Sequence, residues 1–116
     1  MVEQSILRSI AQLLGITEDH TYFDTQLIDH INTALFGLTQ LGIGPQTGFR
    51  ITDDKAKWTD ILGTRQDLDA ARSYVYQKVR LAFDPPQMGY FVDAIKDQIK
   101  ELEWRLVLQA EGGDDS

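Results

Sequence analysis

Tyr74-Val75-Tyr76-Gln77-Lys78-Val79-Arg80-Leu81-Ala82-Phe83-Asp84-Pro85-Pro86 runs a strongly helical pattern into two successive prolines. Proline has a fixed φ and no backbone N–H, so it cannot continue a helix. The residue before a proline is pushed out of the α region. Asp84 precedes Pro85 and Pro85 precedes Pro86, so two consecutive residues are driven extended and the helix must stop near Phe83. A second helix can begin soon after Pro86, because proline suits a first helical turn. The result is a stiff corner between two long helices. The residues leave open whether this corner only fixes how the helices pack or is also displayed to a neighbouring subunit.

Working outward, the helix entering the corner reads from about Asp67 to Phe83. Leu68, Ala71, Val75, Val79 and Ala82 form one apolar stripe, and Tyr76 and Phe83 lie beside it. So broad an apolar arc suits a helix with more than one neighbour. The helix leaving the corner reads from Tyr90 to Gln109, with Phe91, Ile95, Ile99, Leu102 and Leu106 on one stripe. Glu101 and Arg105 stand at i, i+4 in the favourable order. The segment Glu111-Gly-Gly-Asp-Asp-Ser116 has nothing apolar to bury and is expected to be a disordered acidic tail.

Upstream, Ser5 to Gly15 reads as a short helix with Ile6, Leu7, Ile10, Leu13 and Leu14 on one stripe, Ser5 as N-cap and Gly15 just past the end. Ile16 to Tyr22 is a polar connector. Asp24 looks like the N-cap of a further helix that runs to about Leu41, with Leu27, Ile31, Leu35 and Leu38 inward and Gly42, Gly44 and Pro45 stopping it. Gly44 to Thr64 is irregular. Gly48-Phe49-Arg50-Ile51 could be a short strand, and Trp58, Ile61 and Leu62 suggest one more helical turn. A lone strand often pairs with another chain. The competing reading is a loop anchored by Phe49 and Trp58.

The expected architecture is all-α: a small helical bundle in which two long C-terminal antiparallel helices meet at the Pro-Pro corner and two N-terminal helices pack across them. Residues 1–110 are read as one domain and 111–116 as its tail. A chain of 116 residues has room for one modest core. With no cysteine, disulfides, thiol nucleophiles and cysteine-ligated metals are excluded. No basic-then-apolar leader follows Met1, and no apolar run nears the roughly 20 residues a membrane span needs, so the expectation is a cytoplasmic protein without membrane contact. The net charge is -7; setting aside Glu111, Asp114 and Asp115 leaves about -4 for the body (-7 + 3). That mild acidity argues against tight nonspecific DNA binding, which needs a basic face.

No catalytic constellation is found. His20 and His30 fit no metal motif, and Asp29-His30 are adjacent, so their side chains diverge by about 100° on a helix. Asp53-Asp54 reads as a solvated turn. Gly42, Gly44 and Gly48 lack the lysine and helix start of a phosphate loop, and Glu101 and Glu103 face different ways. Neither cofactor nor metal is expected. Trp104 and Tyr74, beside the apolar stripes of their helices, are weighed between core edge and interface anchor, a role for which Trp and Tyr are favoured.

One ordered set of residues spans nearly the whole chain apart from its tail. It comprises Ile-Leu-x-x-Ile-x-x-Leu-Leu-Gly-Ile at Ile6 to Ile16, His30-Ile31-Asn32, Leu41-Gly42-Ile43-Gly44, Trp58, Phe83-Asp84-Pro85-Pro86 and Glu103-Trp104-Arg105. With this set the chain resembles the head–tail connector (adaptor) proteins of long-tailed bacteriophages. The resemblance implies a structural, non-enzymatic protein of the virion neck, assembled in the bacterial host cytoplasm. It implies a dodecameric ring that docks on the portal protein above, receives a stopper or tail-completion protein below, and lets DNA pass. The residues expected at subunit or partner contacts are Phe49, Trp58, Tyr74, Phe83, Asp84, Pro85, Pro86, Trp104 and Arg105. A lumen that releases DNA should avoid positive charge, and Asp93 with Asp97 are the residues expected to line it. The alternative is a non-catalytic helical adaptor for a single protein partner. A nucleic-acid-binding domain is disfavoured, because Lys78 with Arg80 and Lys96 with Lys100 make no continuous basic face.

Overall fold

The computed structural model describes residues 5–17, 21–63 and 69–113. His20, Asp67, Leu68 and the final residues 114–116 lie outside them. Among the described residues there are five helices: α1 (Ile6–Leu13), α2 (Asp24–Gln40), α3 (Trp58–Leu62), α4 (Asp69–Phe83) and α5 (Gly89–Gly113). None of the described residues forms a strand. The fold is the expected small all-α bundle.

Local chemistry sets the helix ends. The Ser5 hydroxyl accepts the Arg8 backbone N–H at 3.1 Å and caps α1. Both α1 and α2 end in the same way. Gly15 and Gly42 adopt φ of 85° and 88°, a region open to glycine at little steric cost. Their N–H groups bond back to the carbonyls of Gln12 and Thr39, while Ile16 and Ile43 bond to Ala11 and Leu38. This paired return satisfies carbonyls the helix end would otherwise orphan. Asp24 is not the N-cap of α2. It is the first helical residue, after Phe23, and its carboxylate is turned to the Arg8 guanidinium instead.

The helix centre is α4, which packs against both α2 and α5, while α1 lies against α2 and α4. Thus α2 packs chiefly against α4. Gly42, just past the end of α2, lies against Ala110 of α5. The inward stripe of α2 is fully buried at Leu27, Ile31, Leu35 and Leu38, joined by Ala34. On α4, Ala71, Val75 and Val79 are buried, but Ala82 is exposed. On α5, Ile95, Ile99 and Leu106 are buried, whereas Phe91 is 45% exposed. Helix α5 continues three residues past Ala110, to Gly113.

The segment 48–51 has no regular secondary structure and pairs with no strand among the described residues. Its partner is a side chain: the Ile51 N–H donates to Asn32 Oδ1 at 2.7 Å, and Asn32 Nδ2 donates to the Ile51 carbonyl at 2.9 Å. One carboxamide on α2 thereby replaces the neighbouring strand. The rest of this loop is held by the Ile6 N–H on the Ala56 carbonyl at 2.8 Å, and by Arg8, which reaches Asp54 at 3.6 Å.

Candidate interaction surface

Tyr74 and Trp58, both weighed as contact residues, are core residues of the subunit, each 2% exposed. Trp58 donates its indole N–H to Ser9 Oγ at 2.9 Å, and the Arg72 guanidinium lies 5.7 Å from its ring. Tyr74 ties the three long helices together. Its hydroxyl sits against the backbone of Gly37 on α2, and Lys78 Nζ lies 5.8 Å from its ring. Burial, and then the carboxylate of Glu103 on α5, push the Tyr74 phenol up to about 12.

The corner is fastened at its base and open at its tip. Phe83 is half-buried and meets Phe23 edge-on at 5.3 Å and His30 at 6.2 Å; Phe23 in turn meets Tyr22 at 5.1 Å. His30 is thus an aromatic neighbour of the corner. Asp84 and Pro85 are exposed and Pro86 is half-buried. Beyond them Met88, Tyr90 and Phe91 are exposed at 58%, 64% and 45%, with the last two rings stacked at 4.2 Å.

Trp104 follows Ile95 by nine residues and so stands about 180° from the buried stripe of α5. It is 65% exposed, with Leu108 one turn on at 47%. Arg105 pairs with Glu101 at 2.7 Å, both side chains 59% exposed. Such exposed pairs contribute about 0.3–0.5 kcal/mol. Asp93 and Asp97 are exposed on the same outward face as Trp104, interleaved with exposed Lys96 and Lys100. That face is therefore of mixed charge. Asp97 and Trp104 are only about 10 Å apart along it, so lumen and contact would have to divide one helix face between them.

Phe49 is half-buried and lines a groove of about 640 Å³ between the outer face of α2 and loop 47–50, together with Asp29, Thr33, Phe36 and Arg50. Phe36, 61% exposed, escaped the sequence reading. The signal was available: it follows Leu27 by nine residues, about 180° from the stripe. Tyr22, Met88 and Tyr90, all exposed, also escaped it. No group of three or more His, Asp or Glu among the described residues could hold a metal ion.

A family model described as phage connector protein matches residues 6–113, from the first residue of α1 to the last of α5. No curated protein and no solved structure matches the chain.

Proposed function

Because the chain belongs to the phage connector protein family, a family of structural virion neck components, we propose that it acts there as a ring subunit. In this reading twelve copies form the ring. The ring docks on the portal protein above, receives a stopper or tail-completion protein below, and gives DNA a passage it does not grip.

The observation that carries the reading is the extent of the match: it takes in every described helix, so no described helix is left over for another role. The surface supports it. The subunit already has a closed core, yet it leaves Phe36, Met88, Tyr90 and Trp104 largely exposed on different elements. Large aromatic and methionine side chains on a surface are enriched where proteins meet. The charge supports easy passage of DNA, with 18 acids against 11 bases. Asp93 and Asp97 are the proposed lumen residues, and their lysine neighbours make that lining close to neutral. No helix among the described residues is long and apolar enough to cross a membrane.

Electron microscopy of the chain mixed with the portal protein of the same phage tests the reading. A closed ring of this chain coaxial with the portal is expected. A single copy bound per portal assembly would point instead to the monomeric helical adaptor, and absence of binding would remove the portal as partner.

A further inference from the structure

Two exposed surfaces of this subunit are complementary. The first is the groove on α2, with Phe36 and Phe49 in its wall and Asp29 and Arg50 as its charged members. The second is the row Lys100, Trp104, Leu108, spaced by one turn on the outer face of α5. Phe36 points away from the buried stripe of α2 and Trp104 away from that of α5, and both helices pack on α4. The groove and the row therefore open on different sides of the molecule.

We propose that the Lys100-Trp104-Leu108 row of one subunit seats in the α2 groove of the next copy of this chain. Spacing and charge agree on the register. Asp29 and Phe36 are about 10 Å apart along α2, and Lys100 and Leu108 about 12 Å apart along α5. With the helices side by side in the same direction, Lys100 meets Asp29, Trp104 lies over Thr33 beside Phe49, and Leu108 meets Phe36. An aromatic anchor entering a groove walled by two phenylalanines, with a charge pair at its rim, is the usual make-up of a contact's energetic centre. A knob and a hole on different faces form a head-to-tail contact, which repeats from copy to copy and closes into a ring if the rotation allows. This contact rests on the ring reading above.

The chain has no cysteine, so a disulfide trap is unambiguous. The double variant Asp29→Cys/Lys100→Cys keeps every apolar contact, and both sites are exposed in the subunit. Assembled with portal protein and oxidised, it is expected to give a ladder of covalent species well beyond the dimer on a denaturing gel, while either single variant gives none. Rings that form without a ladder, or a ladder that stops at the dimer, would overturn this contact and leave the ring reading intact. Failure of the wild-type chain to form any ring would overturn the ring reading itself. As a second arm, Asp29→Lys should reduce ring assembly and Lys100→Asp in the same chain should restore it; loss without restoration would count against the register.

Discussion

The Tyr74 hydroxyl occupies the space into which a Cβ on Gly37 would project. Helices α2 and α4 approach each other at this point only because residue 37 has no side chain. Gly37→Ala should gain up to about 1 kcal/mol of helix propensity. It should lose more to overpacking, since forcing extra atoms into a packed site costs about 1–3 kcal/mol. The expected net loss is about 1–2 kcal/mol, read as a Tm lower by about 5–10 °C in calorimetry. Tyr74→Phe in the same chain removes the colliding oxygen and should recover part of the loss. A Gly37→Ala protein as stable as wild type would mean that the two helices are free to move apart.

The same hydroxyl gives an alkaline limit to stability. Burial, and then Glu103, raise the Tyr74 phenol from its ordinary value near 10 to about 12. An acid with a raised folded pKa is held neutral by the fold, so its contribution is fully present below about pH 10 and is lost as pH climbs towards 12. Two units correspond to an upper bound of about 2–3 kcal/mol. Ultraviolet titration should show one phenol of the four ionising last, and Tyr74→Phe should abolish that phase. If all phenols ionise together near 10, the buried Tyr74–Glu103 pairing is absent in solution.

Asn32 stands in for a strand, and its removal should release the loop. Asn32→Ala leaves the peptide of the buried Ile51 without partners, at a cost of about 1–3 kcal/mol. Amide exchange at Ile51 should accelerate far more than at Leu35 in the middle of α2. Equal acceleration at both would indicate global destabilisation and no specific clasp.

Replacing Pro85 and Pro86 together with alanine should leave a folded subunit, because Phe83 still packs on Phe23 and the helix stripes are untouched. Ring assembly on the portal should fall, since the corner gains backbone freedom and α4 can extend. Circular dichroism reads the first expectation and electron microscopy with portal protein the second. Normal assembly would reduce the corner to a local turn.

Asp93→Lys/Asp97→Lys changes two exposed residues, and such substitutions alter stability by about 0.5 kcal/mol or less. If these acids line the passage, the variant adds a belt of lysines repeated in every subunit. DNA ejection should then slow at low salt and recover as salt is raised, because exposed charges are screened. Unchanged ejection at low salt, from particles shown to carry the variant, would place these residues off the lumen.

Much of this fold is legible in the chain alone. The glycines at 15 and 42, the serine at 5 and the paired prolines bound four of the helices to within a few residues, because caps and breakers act on the backbone within a turn of themselves. The apolar stripe of α2, and that of α1 at Ile6, Leu7 and Ile10, are legible for a related reason, since period decides which side chains share a face; Leu13, expected on the α1 stripe, is 56% exposed at the end of its helix. What period cannot state is how many neighbours a helix has. Tyr74 and Trp104 look alike in sequence, each a large ring beside a stripe. Helix α4 has α2 on one side and α5 on the other, so Tyr74 is enclosed between Gly37 and Glu103. Helix α5 has its main partner on one side, so Trp104 faces outward. The pairing of Asn32 with Ile51 was hidden for the same reason. The two residues are 19 positions apart, and only the return of the loop to α2 brings a carboxamide to the one peptide that needed it.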